Sequence, residues 1–168
     1  MPKYVLHDLP SEGADIIKNC FRSSIIIDAA KAYARCIGCF GCWLKTPGAC
    51  IFKDGMETLG ARLLTAEETV IVCRPLYGGF SVPVKRLWDR CIPGVLPFFQ
   101  KRGQELHHLP RYKNHMVLKI IFYGCDGMLT EEKKLAERLA AANAVNFAAK
   151  SHSIHFLNDI SELREKLK

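Results

Sequence analysis

Residues 36 to 50, CIGCFGCWLKTPGAC, place four cysteines with two, two and seven residues between them. Thiolates two residues apart can converge on one ion or cluster, because a tight turn brings positions i and i+3 together. The run Cys36, Cys39, Cys42 has the local spacing that opens a bacterial ferredoxin cluster segment. Cys50 can close the set after a turn through Thr46, Pro47 and Gly48, while Gly38 and Gly41 lower the steric cost of wrapping backbone around inorganic sulfide. The pattern thus admits a 4Fe-4S cluster held by Cys36, Cys39, Cys42 and Cys50. It also admits four metal-free thiols lining a loop. Zinc suits it less, since structural zinc sites pair two C-x-x-C knuckles across a longer separation. A disulfide from Cys36 or Cys39 to Cys50 is geometrically feasible but runs against the compartment argument below. Cys20, Cys73, Cys91 and Cys125 read as small core hydrophobes, Cys125 lying in a strand-end loop.

A second stretch with chemical promise is Pro75-Leu76-Tyr77-Gly78-Gly79, which follows an apolar run and precedes a helix start. Its backbone N–H groups and two glycines can approach a flat polar ring, with Tyr77 offering an aromatic edge. A Pro-Gly turn with a packed Tyr would have the same sequence. Lys85 and Asp89 stand one helical turn apart and can pair across the surface, and Trp88 reads as core or interface.

The elements that must position these residues alternate along the chain. Strands are predicted at 4–9, 23–28, 69–73, 116–124 and 153–157, the third being almost wholly apolar as a strand covered on both faces should be. Helices are predicted at 12–20, 56–66, 81–91, 130–149 and 159–167, with Ser81 as a cap, Pro83 in the first turn, and Glu131 and Glu132 at the positive end of the fourth. This alternation describes a three-layer α/β domain with a mostly parallel sheet, one domain over 1–168. Residues 92–115 have no clear period and read as an irregular excursion over a pocket or partner surface. In such a sheet ligands bind beyond the C-terminal strand ends, where strand order reverses. Three loops meet there: Pro10 to Gly13, Arg74 to Gly79, and Gly124 to Leu129. The cysteine segment follows the second strand and is expected at the same edge.

Composition narrows the classes. Eight cysteines, with an N-terminus that meets Pro2 and Asp8 before any signal-like apolar run, predict reducing, cytoplasmic conditions. No stretch approaches the roughly eighteen apolar residues of a membrane helix, so no membrane partner is expected. A net charge of +7 favours anionic partners only weakly, because basic residues are spread out. The densest group, Lys101, Arg102, Arg111 and Lys113, reads as a solvated face or an attractor of phosphate-bearing ligands. No nucleic-acid motif has the required spacing.

Taken together, residues 36–90 resemble the NADPH-dependent FMN reductase family, and within it the iron–sulfur flavoprotein branch. The resemblance is carried by the Cys36, Cys39, Cys42, Cys50 run, the Lys53-Asp54-Gly55-Met56 segment, the Pro75-x-Tyr77-x-Gly79 loop, and the spacing onward to Lys85 and Asp89-Arg90. It implies a flavodoxin-like fold with a five-stranded parallel sheet in the order 2-1-3-4-5. It implies an FMN-dependent oxidoreductase or electron-transfer flavoprotein with NAD(P)H as donor, assembled as a homodimer or homotetramer. The flavin would lie against Pro75, Leu76, Tyr77, Gly78 and Gly79, with Gly124 and Asp126 approaching its ring, and no general acid or base is required. In the iron–sulfur branch the cysteines would carry a 4Fe-4S cluster that exchanges electrons with FMN near a subunit interface, on the way to a redox partner. One departure stands out. The family's Ser/Thr-rich phosphate loop is replaced by residues 7 to 13, HDLPSEG, where Ser11 is the one hydroxyl and Glu12 repels a phosphate. That departure motivates the alternative of a degenerate scaffold without flavin, binding a partner through Leu96, Pro97, Phe98 and Phe99.

Overall fold

The computed structural model describes residues 1–113 and 115–166. In chain order the elements are β1 (Lys3–His7), α1 (Ser11–Cys20), β2 (Ile25–Asp28), α2 (Gly41–Leu44), α3 (Leu59–Leu64), β3 (Glu68–Cys73), β4 (Pro75–Leu76), β5 (Gly79–Phe80), α4 (Val82–Trp88), β6 (Val95–Arg102), β7 (Glu105–Pro110), β8 (Val117–Phe122), α5 (Thr130–Asn146), β9 (Ser151–Phe156) and α6 (Leu163–Lys166). Short 3-10 turns at Asp89–Gly94 and Ile160–Glu162 lead into β6 and α6.

Five strands form one parallel sheet in the order β2-β1-β3-β8-β9. Counting only strands of that sheet, this is the expected order 2-1-3-4-5. The period-2 pattern sorts the side chains into two cores. Leu6, Ile71, Leu118, Ile120 and Phe122 pack with Leu63, Val84, Trp88, Ala136 and Ala140 from α3, α4 and α5. Val5, Val70, Val72 and Ile121 pack with Ile17 of α1 and Leu163 of α6. Helices therefore cover both faces, and β3, central and buried along nearly its whole length, is apolar from Val70 to Cys73. Each fully buried Leu or Ile contributes about 1.5–3 kcal/mol of burial.

The expected elements appear within a few residues of their predicted ends, with four refinements. Residues 92–115 are not irregular throughout: β6 and β7 form an antiparallel hairpin, its register shifted between Val95 and Phe99. Pro97 in that stretch has no N–H for a ladder, which masks the strand period. The expected ring loop is itself a small hairpin, β4–β5. Ser81 occupies the N-cap of α4, yet its hydroxyl makes no capping hydrogen bond. The last helix is split into a 3-10 turn capped by Asp159, which accepts from Ser161 N at 2.8 Å, and α6. Leu167 of that predicted helix, and Asn114 of the excursion, lie outside the described residues. Among the described residues no helix is long and apolar enough to cross a membrane.

Candidate functional site

The four cysteines of the 36–50 segment line one cavity of about 380 Å³, together with Phe40, Trp43, Phe52, Arg90 and His108. The backbone closes on itself here. A Cβ on Gly41 would stand 2.5 Å from Ile51 Cγ2, so a side chain at that position would require the Ile51 side chain to shift. Phe40, just before it, takes a left-handed φ of 54°. All eight cysteines are free thiols; Cys36 and Cys39 are exposed and Cys42 and Cys50 partly buried. Burial pushes the Cys42 thiol up, its own backbone N–H opposes this, and the charges of Cys50, Cys36 and Cys39 add to the rise. Among the described residues no three His, Cys, Asp or Glu side chains are arranged to hold a metal ion. Cys73, Cys91 and Cys125 are buried in the core, whereas Cys20 is only partly buried.

A fully buried guanidinium faces this cavity. Arg90, on the 3-10 turn after α4, donates from both terminal nitrogens to Asp54, at 2.5 and 2.9 Å, and from Nη1 to Ala34 O at 3.3 Å. Its Nε has no partner among the described residues. Hydrogen bonding from Arg90 pulls the Asp54 carboxyl down to about 2 against the opposing effect of burial, helped by the N–H groups of Ala34 and Met56. For Arg90 burial works against the charge, but Asp54 and Cys50 outweigh it and leave the group more basic than usual. Asp54 and Arg90 both fall in segments that carry the family resemblance, but their pairing spans 36 positions and no local spacing signals it.

An aromatic stack ties the cysteine segment to the β6–β7 hairpin. Ring centroids step from Phe40 to Trp43 at 5.4 Å, to His108 at 5.1 Å and to Phe99 at 4.4 Å. Trp43 Nε1 also donates to Val95 O at 2.9 Å. Phe98, Phe99 and Leu106 remain mostly exposed on the hairpin.

The Pro75–Gly79 stretch is a two-residue hairpin turn. Its central residues, Tyr77 and Gly78, have φ of 49° and 77°, the positive values a type I′ turn requires. A Cβ on Gly78 would come 2.9 Å from Glu132 O, so the turn presses directly on α5. Tyr77 is 82% exposed and its hydroxyl makes no hydrogen bond among the described residues, while Leu76 is about half exposed.

A separate polar cavity of about 510 Å³ opens where four parallel strands end. Leu9 and Pro10 come from the end of β1, Arg74 from β3, Tyr123, Gly124 and Asp126 from β8, and Asn158 and Asp159 from β9. Asp8 braces it: its carboxylate accepts from Tyr123 OH at 3.0 Å and from Arg74 N at 3.3 Å. Burial and then Asp8 push the Tyr123 phenol up, so it stays protonated. His7 is held below its ordinary range by burial, against Asp28 and Asp8, and its Nδ1 accepts from Leu9 N. The predicted Gly124 and Asp126 thus line this cavity. Ser11 sits exposed at the first position of α1, behind an N-cap, Pro10, that makes no side-chain cap. Pro75 to Gly79 stand outside its lining.

No protein-family model and no curated protein matches the sequence. Solved structures do match in fold. The chain is similar to an FMN-dependent NADH-azoreductase from Bacillus anthracis str. Ames Ancestor in complex with FMN, at 12% identity and a TM-score of 0.56, over 99% of this chain and 94% of that one. An azoreductase from Bacillus anthracis str. Sterne matches at 12% identity and a TM-score of 0.56, over 99% and 93%. An NADPH-quinone reductase from P. pentosaceus matches at 10% and 0.53, over 99% and 93%. At these identities the likeness is one of architecture, and the strand order, the two covered faces and the full-length superposition agree: the chain has a three-layer flavodoxin-like fold.

Proposed function

We propose that this protein is a flavin-dependent oxidoreductase that takes electrons from NAD(P)H and passes them to a small acceptor or redox partner. The observation that carries the reading is the strand-end arrangement. The Tyr77–Gly78 turn projects after β3 and the Gly124–Asp126 loop after β8, next to the point where strand order reverses between β1 and β3. The nearby folds whose names include azoreductase and quinone reductase support it by analogy. A flavin bound here would supply the hydride and single-electron chemistry. The chain's own task is to hold a flat ring: Gly78 fixes the turn against α5, Tyr77 offers an unengaged aromatic face, and Leu76 with Pro75 shields one edge from water. The ring portion would find an exposed aromatic side chain and a glycine turn here. The phosphate portion of FMN does not, as Ser11 is exposed, Pro10 contributes no donor and Asp8 stands at the end of β1. Turnover tests the reading: NADH or NADPH oxidation with added flavin and a dye acceptor should be sustained by the protein. No consumption above the flavin-only control contradicts it and favours the partner-binding scaffold.

The thiol cavity supports a companion reading, a 4Fe-4S cluster on Cys36, Cys39, Cys42 and Cys50. A single tetrahedral zinc with bonds of about 2.3 Å requires its sulfurs to meet at one point. Four thiols that line one open cavity, with a buried cation facing it, suit the larger and anionic cluster better. Arg90 would offset its charge and Phe40 and Trp43 would limit water. The homodimer or homotetramer belongs to the same reading, with exposed Phe98 and Phe99 as contact residues.

A further inference from the structure

We infer that the flavin site selects against the phosphate: its preferred ligand is a flavin bearing a neutral ribityl chain, of the riboflavin type, rather than FMN. The inference rests on the flavin reading above and names the ligand class of that same site. Gly124 lines the polar cavity at the strand ends, so a chain hanging from a ring held against Gly124 would run into that cavity. Its lining is rich in acceptors. Asp126, Asn158 and Asp159 are among its lining residues, and among the described lining residues Arg74 is the one cation. Behind them, Asp8 already engages Tyr123 OH and the Arg74 backbone N–H. The Arg74 guanidinium carbon lies 5.6 Å from the centre of the Tyr123 ring, so the cation is drawn to the wall that Asp8 braces. Asp159 is held below its ordinary carboxyl range by the Ser161 hydroxyl and N–H and remains ionised at neutral pH.

The start of α1 completes the contrast. A phosphate dianion needs several convergent donors. Gly13 N already donates to Pro10 O at 2.9 Å, Pro10 has no N–H, and the N-cap supplies no side chain. Polyol hydroxyls have the opposite requirement: each can donate to a carboxylate or an amide oxygen, forming charge-assisted bonds without introducing charge. A dianion in the same place would face two lining carboxylates with one cation in compensation.

Isothermal titration of the full-length protein with lumiflavin, riboflavin and FMN tests this. Riboflavin should bind more tightly than lumiflavin, because the ribityl chain finds acceptors, and at least tenfold more tightly than FMN. Asp126→Asn should narrow the riboflavin-to-FMN gap several-fold, and added salt should narrow it as well, since screening relieves repulsion. FMN binding as tightly as riboflavin or more tightly overturns the inference while leaving the flavin reading intact. A gap unmoved by both salt and Asp126→Asn overturns the carboxylate argument. Absence of binding by all three flavins overturns the flavin reading itself.

Discussion

Arg90 and Asp54 form a two-point ion pair, 2.5 and 2.9 Å, in which the cation is fully buried and the carboxylate is about one-fifth exposed. The pair fastens the segment after the cysteines to the 3-10 turn after α4, whose Arg90 lines the thiol cavity. Removing one partner leaves the other uncompensated. Asp54→Ala should therefore destabilise the protein by about 3 kcal/mol, whereas Arg90→Met with Asp54→Leu should recover much of that loss. Urea unfolding monitored by circular dichroism reads both values.

The same pair sets an acid limit. The Asp54 carboxyl is lowered from its ordinary value to about 2, so its contribution is fully present above pH 4 and fades as pH falls toward 2. The shift corresponds to about 2 kcal/mol. Thermal midpoints measured from pH 6 down to 2 should drop less steeply in Asp54→Asn, which starts lower and has no such proton to gain. Parallel curves for the two proteins would deny the pair this role.

Gly78→Ala places a Cβ 2.9 Å from the Glu132 carbonyl at a φ of 77°. Backbone strain of this kind costs about 1–3 kcal/mol. The substitution should lower the thermal midpoint and loosen the β4–β5 turn, seen as faster amide exchange at Gly79 and Phe80. Gly127→Ala, where nothing lies within 4 Å of the added carbon, serves as the control and should change little.

Protein expressed with ample iron and purified without oxygen should contain about four iron atoms and four labile sulfides per chain if the thiols carry one cluster. Cys39→Ser should remove most of that iron, and Cys20→Ser, in the other core, should not. Iron near zero in the wild-type sample leaves the thiols to the loop alone.

The sheet was readable because β3 and β8 are mostly apolar runs, broken only by Glu68, Thr69 and Lys119, a pattern that burial on both faces produces directly. The β6–β7 hairpin was not, because Pro97 and the shifted register break its alternation and Phe98 and Phe99 face solvent. The type I′ turn was also hidden: Asn-Gly is its strong signal, and Tyr at a left-handed position gives none. The position of Gly124 and Asp126 at the strand-end cavity was legible from their place after an apolar strand. Asn158, Asp159 and the Arg90–Asp54 pair were not, as they join the sites only through the strand order and a contact 36 positions apart.

Riboflavin titration followed by flavin fluorescence, in wild-type protein and Tyr77→Gly, tests the central claim most directly. Glycine accepts the positive φ of position 77 and the side chain there is largely exposed, so the variant should remain folded. The account predicts saturable quenching by the wild type and roughly tenfold weaker binding by Tyr77→Gly, the loss of about 1.4 kcal/mol of ring contact. Saturable quenching that is identical in the two proteins would contradict placement of the ring on this turn, and linear, unsaturated quenching by the wild type would contradict flavin binding altogether.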